Sequence, residues 1–441
     1  MTNTTQILPD NQTPSDEMSK AERVQTRLAK RKAAETRFKL YGLISIGLAL
    51  SFLGILFFTI INNGLSAFQQ TEIRLDIYVD SQKVDPDGNR DPSQLARGDY
   101  HSLVKQTLRD LFPEVNGRKE KRELYSIISI GAAFELRDYI VQNPDFIGTT
   151  ISLWVPASDD VDMLIKGKVE RDWKAAARKI SDKQLVWVDE LIQRGDLEAK
   201  FNKRFFLSGD SREPELAGIL GASVGSFWML LVTLALSFPI GVFSAVYLEE
   251  FAPKNKWTDL IEVNINNLAA VPSIVFGLLG LALFLNVFGL PRSAPLVGGM
   301  VLSLMTLPTI IISGRASLKA VPPSIREAAL GMGASRLQVV MHHVLPLAMP
   351  GILTGTVIGM AQALGETAPL LMIGMVAFIV DIPGGPTDAA TALPVQIYLW
   401  ADSPERAFVE KMSAAIMVLL GFLITMNMTA IILRKKFERS W

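Results

Sequence analysis

Apolar positions along the chain gather into long uncharged runs, set apart by short charged segments. Residues 40–61 pass 22 positions without a charge, enough to cross roughly 30 Å of hydrocarbon at about 1.5 Å per residue. Similar runs follow at 216–248, 267–290, 293–314, 344–365 with an apolar continuation to 380, and 412–433. Six transmembrane helices are therefore expected. The first is too long for the h-region of a signal peptide and no A-x-A-like site follows it, so it is read as an uncleaved anchor. Between the first two runs, residues 62–215 have a different pattern. Ile73, Leu75, Ile77 and Val79 alternate with polar positions as in a half-buried strand, while Leu103, Val104, Leu108 and Leu111, and later Trp173, Ala176, Ala177 and Ile180, recur at helical spacing. This stretch is expected to fold as an α+β domain inserted between helices 1 and 2. Its acidic segment 80–92 lacks the ligand spacing of an EF-hand and is read as an ordinary turn-rich loop.

Composition agrees with this segregation. Of 441 residues, 49% are hydrophobic and 20% charged, with a mean hydropathy of +0.27, which is unusual for one compact soluble domain. Lys plus Arg and Asp plus Glu number 44 each; this neutral sum gives no basic excess for nucleic acid. The absence of Cys excludes a disulfide scaffold and a thiolate metal site. The charges also predict topology, because Lys and Arg of short loops collect on the cytoplasmic side. With the N-terminus inside, the inner segments hold 18 basic residues, against Arg292, Arg406 and Lys411 in the short outer loops. Both termini are thus expected in the cytoplasm and 62–215 in the periplasm, where its 23 basic and 27 acidic residues suit a folded domain. Residues 1–19 are polar and expected to be disordered; 20–39 are basic and helix-prone and are read as a flank that orients the first span, the alternative being a helix lying on anionic lipid at the inner face.

The inner loop between the fourth and fifth spans carries the most informative motif. Ser324 and Glu327 have capping-box spacing, and Ile325, Ala328, Ala329 and Met332 would share one helical face. Gly331 and Gly333 are expected to end that helix and Ser335 to cap a second, with Leu337, Val340, Met341 and Val344 as its stripe. Such an apolar helix-turn-helix outside the membrane suits docking to another protein, or packing on the chain's own membrane helices.

Glu327-Ala328-Ala329, Gly333-Ala334 and Leu345-Pro346 resemble the EAA loop of ABC-importer inner-membrane permeases, in which this loop couples to the ATPase. His343 departs from the usual branched apolar residue. The stretch from Arg315 and Ala316 through Ala329, and 365–371 with 350–355 before it, are similar to the PstA family of phosphate-importer permeases, including its extended members with a large outer domain. The resemblance implies a type I permease fold that forms half of a translocation path. It also implies a second homologous permease, two ATP-binding ABC subunits and a periplasmic phosphate-binding protein as partners, alongside membrane lipid, and no cofactor. A permease for another oxyanion or small solute shares the EAA loop. A membrane-anchored periplasmic sensor would need fewer spans and a cytoplasmic output domain.

Glu366 is the only ionisable residue between His343 and Asp381. A charge at membrane depth is costly and is expected to face a pathway or a partner; the alternative is that it ends a helix broken before Pro369. Glu366, Thr367 and Arg315 are the candidate path residues, although Arg315 equally suits a snorkelling charge at the inner face. Gly351, Gly355 and Gly359 recur every four residues, as do Gly221 and Gly225, and read as packing stripes. The chain has no G-x-x-x-x-G-K-[ST] loop, so any ATP hydrolysis belongs to another subunit. With no H-E-x-x-H or G-x-S-x-G either, an enzyme is not expected, and adjacent His342 and His343 point apart on a helix and make no metal site.

Overall fold

The computed structural model describes residues 20–175 and 179–437. Residues 1–19, 176–178 (with Ala176 and Ala177 of the expected helical stripe) and 438–441 lie outside the described residues. The chain divides at Thr59 into two units. Among the described residues, the first holds the long helix α1 (Lys20–Gly64) up to Thr59, and residues 60–64 of that helix are counted in the second. From Phe38 to Phe58 its large apolar side chains are exposed, as a helix apolar all round requires of a span in lipid.

In the second unit the segment after α1 folds on a three-stranded antiparallel sheet of order β2-β1-β3, with β1 (Gln69–Tyr78), β2 (Thr150–Pro156) and β3 (Leu197–Phe201). Alternation places Ile73, Leu75 and Ile77 on the buried face of the central strand, and Val79 continues it just beyond. Helices α2 (Tyr100–Leu111), α3 (Gly131–Gln142), α4 (Asp159–Ile165) and α5 (Asp182–Arg194) belong to the same fold. Leu103, Val104 and Leu108 of α2 share one core with the sheet, and Leu111 packs at its edge. In the 80–92 loop, Asp80 and Asp91 cap two short helices by accepting from the Gln82 and Ser93 amides, and Asp85 accepts from the Arg90 amide.

Among the described residues, five helices are long and apolar enough to cross a membrane, and a bent pair makes a sixth candidate. They are α1, α6 (Leu220–Val246, extended by a π-turn Tyr247–Phe251), α9 (Pro295–Lys319), the run ending in α12 (Leu345–Gly365) and α15 (Ala407–Phe437). The uncharged run 267–290, expected as one continuous span, is instead part of α7 (Lys256–Ala269) and α8 (Ser273–Leu279, continued as a π-helix Gly280–Val287), bent by 104° at the break. Pro272 explains the bend: it lacks an amide, and its ψ of 137° leaves the helical region. The run 344–365 ends as a helix at Gly365, as expected, and its apolar continuation to 380 is not part of that helix.

Packing in this region runs α6 on α9, α9 on α12 and α12 on α15. The glycine stripe lets α12 meet α9: a Cβ at Gly351 or Gly355 would overlap the Ser317 or Ser313 side chain. These pairs also give the register. Residue numbers rise along α12 as they fall along α9, so the two helices are antiparallel.

A buried charge cluster joins the sheet domain to the start of α15. Lys166 Nζ lies 2.6 Å from both Asp162 Oδ2 and Glu410 Oε1. Asp162 Oδ1 in turn accepts from the Thr71 amide of β1 at 2.8 Å. Lys411 is buried over the Phe205 ring. Glu215 is buried nearby, with its Oε2 unpartnered. Desolvation pushes Glu215 up to about 7, reinforced by Asp159 and Glu213 and opposed by the Ser129 hydroxyl. A carboxyl that holds its proton more tightly when folded contributes stability below its unfolded value near 4.5, and that contribution is lost as pH rises through about 7. The midpoint of thermal unfolding in detergent is therefore expected to fall between pH 5 and 7.5, and Glu215→Gln to flatten that slope. Equal slopes in the two proteins would contradict the assignment.

Candidate functional site

The loop residues singled out by sequence form two short helices, α10 (Pro323–Gly331) and α11 (Arg336–Val339), followed by a π-turn (Val340–Val344) that leads into α12. The expected Ser324–Glu327 capping box is not formed. The helix starts two residues earlier, with Pro322 as N-cap, Pro323 inside its first turn and no side-chain cap. Proline presets the helical φ and has no amide to satisfy, so the serine cap is unnecessary. The exit from α10 is a Schellman turn: Gly333 N–H donates to Leu330 O at 2.9 Å and Ala334 N–H to Ala329 O at 3.2 Å. Gly333 sits at φ +90°, a conformation that side chains with a Cβ rarely adopt. Ser335 and Gln338 then form the capping box of α11.

Only part of the expected apolar stripes faces inward. Ala329, Val339, Val340 and Val344 are buried in a cluster with Val246, Leu318 and Val321, with Ile325, Ala334 and Leu345 packed against it. Pro346 opens α12 beside Leu345. Glu327, Ala328, Leu330, Met332, Leu337 and Met341 are exposed, Met332 at 79%. The motif thus has an anchored face and an apolar outward crest. His343 is exposed, so its departure from an apolar residue disturbs no packing.

Arg326 and Glu250 escaped the sequence reading, which counted Arg326 only as an inner positive charge. Arg326 Nη2 donates to Glu250 Oε1 at 2.7 Å and to Leu318 O at 2.8 Å, and Nη1 donates to Val321 O at 2.7 Å. The available signal was the adjacent acidic pair Glu249-Glu250 at the end of an apolar run. Arg315 belongs to the same end of the helices, 2.6 Å from Glu262 Oε1 and 3.5 Å from Glu249 Oε2.

Glu366 lies elsewhere. It ends α12 with ψ 127°, half-buried, and Thr367 precedes α13 (Ala368–Met372). Among the described residues its carboxylate takes no hydrogen bond or ion pair. The α9–α12 register sets Arg315 level with 351–355, eleven or more residues before Glu366, or roughly 17 Å along the helix at about 1.5 Å per residue. The three candidate path residues therefore do not form one site. What lies against the Glu366 break is α8: a Cβ on Gly277 would stand 2.6 Å from the Pro369 Cα. Two interrupted helices meet there, which brings irregular backbone and a free carboxylate together.

Comparison with known proteins matches residues 237–440 to the family described as binding-protein-dependent transport system inner membrane component, and residues 25–175 to a domain of unknown function, DUF3333. The chain is 36% identical over 155 residues to the probable ABC transporter permease protein YqgI of Bacillus subtilis, covering 35% of this chain and 52% of that one. It is 30% identical over 228 residues to the phosphate transport system permease protein PstA 1 of Mycobacterium tuberculosis (strain CDC 1551), covering 52% of this chain and 74% of that one. The chain thus spans about half the length of the first relative and three quarters of the second. A solved structure of the MetNI methionine ABC transporter, facing inward, aligns with a TM-score of 0.41 and 19% identity over 50% of this chain and 97% of that chain.

Proposed function

The chain belongs to the PstA family of ABC-importer permeases, and from that premise we propose that it is a transmembrane subunit of an ATP-driven phosphate importer. The observation that carries this reading is the EAA sequence on a loop with a packed inner face and an apolar crest. The crest holds Leu330, Met332 and Leu337, all more than 40% exposed. Exposed apolar groups on a well-capped, anchored scaffold favour a preformed docking surface over a segment that folds on its own helices. The occupant in this reading is the ATPase subunit, one of two. A second homologous permease completes the path, and a periplasmic phosphate-binding protein delivers the substrate.

With the bent pair α7–α8 counted as one, the chain crosses the inner membrane six times. Both termini are cytoplasmic, and residues 62–215 form the periplasmic α+β domain. The excess of Lys and Arg in the short segments on one side supports this orientation.

Glu366 and Thr367 are assigned to the substrate path. A carboxylate beside an anion is repulsive unless a cation or a proton intervenes, and no guanidinium of this chain is paired with Glu366 among the described residues. Compensation then comes from the partner permease or from the substrate. Phosphate near neutral pH keeps a proton to donate and sulfate has none, so an acceptor-only group favours phosphate. Glu366→Gln in the assembled importer is expected to reduce phosphate uptake and narrow its preference over sulfate; uptake and discrimination both unchanged would remove the residue from the path.

A further inference from the structure

We propose that Arg326 is a positioning residue, latched to Glu250, through which displacement of the coupling loop reaches the membrane helices; this rests on the permease reading above. One guanidinium ties three elements together. It projects from α10, donates to Glu250 in the π-turn that ends α6, and donates to the Leu318 and Val321 carbonyls at the end of α9. Arg326 Nε approaches both carboxylate oxygens of Glu250, at 3.3 and 3.4 Å. The side chains of Arg326 and Glu250 are 23% and 11% exposed, so solvent screens the pair only weakly. A planar fork that reaches a carboxylate and two carbonyls at once is a geometry that a lysine cannot reproduce.

The latch is not required to fold the loop. The Schellman turn at Gly333, the Ser335–Gln338 capping box and the burial of Ala329 shape it without Arg326. The guanidinium adds a polar connection to α6 and α9, and that connection continues. Arg315 of α9 pairs with Glu262 of α7 and approaches Glu249, beside Glu250. Helix α7 leads to the break before α8, and α8 packs on α13 directly after Glu366. A push on α10 therefore meets α6 and α9 at once, and α7 through α9.

The test uses the assembled importer in proteoliposomes with Arg326→Gln, Arg326→Lys, Glu250→Gln and the Arg326→Gln/Glu250→Gln double variant. Retention of the ATPase on purification and phosphate imported per ATP hydrolysed are both measured. Each Gln variant is expected to keep the ATPase bound yet lose roughly tenfold in import per ATP. The double variant should be no worse than either single, because the two residues act as one unit. Arg326→Lys should recover part of the loss. Unchanged import per ATP, additive losses, or release of the ATPase would each overturn the latch, the last by showing that Arg326 only folds the loop. A wild-type complex that holds no ATPase and imports no phosphate would instead overturn the permease reading, and the latch with it.

Discussion

Lys166→Met is expected to destabilise the chain by roughly 3–5 kcal/mol, the usual cost of removing one partner from a buried ion pair. Lys166, Asp162 and Glu410 have side chains only 4–6% exposed, and methionine takes away the ammonium that bonds both carboxylates, leaving them only the unbonded charge of Lys411. Asp162 keeps only its bond from the Thr71 amide. The same substitution combined with Asp162→Asn and Glu410→Gln removes these three charges together and leaves Lys411 beside Glu215. Buried pairs replaced by neutral groups of similar size are often no less stable, so the triple variant should unfold much closer to wild type. Thermal unfolding of the purified protein in detergent separates these cases. A single variant as stable as wild type, or a triple variant as unstable as the single, would show that the cluster does not hold the sheet domain to α15.

Gly333→Asp is expected to release the ATPase from the complex and abolish import while leaving most of the fold intact. The position has φ +90° and nothing within 4 Å of a built Cβ, so the penalty is backbone strain, about 1–3 kcal/mol, and not a clash. That strain falls on the Schellman turn that sets α10 against α11, and the new carboxylate adds charge beside the exposed Met332. Gly333→Ala carries the strain without the charge and should retain more ATPase. The readout is the amount of ATPase recovered with the tagged permease, together with ATP turnover. If Gly333→Asp keeps its full complement with unchanged turnover, the loop is not where the ATPase docks.

Much of the 323–344 loop was legible because its determinants are local. Gly333 as the exit of α10 and Ser335 as the cap of α11 follow from backbone requirements within a few residues. The Ser324 cap was misread for an equally local reason: two prolines immediately before it displaced the helix start. Which residues of the apolar stripes face inward was not legible. Met332 and Leu337 fit the periodicity as well as Val340 and Val344 do, and only the neighbouring α6 and α9 decide which of them are covered.

The first apolar helix, the strand alternation at Ile73, Leu75 and Ile77 and the EAA match were determined by the sequence alone, because hydrophobic runs, period-two alternation and turn residues act at short range. Tertiary structure decided the pairings between distant charges. Arg326 with Glu250, Arg315 with Glu262 and Lys166 with Glu410 are separated by 76, 53 and 244 positions. It also decided the bend of α7 against α8 and the separation of Arg315 from Glu366. An isolated Arg or Glu has the same local signature whether solvent or a counter-ion receives it, and only packing brings the partner close and excludes the water that would otherwise compete.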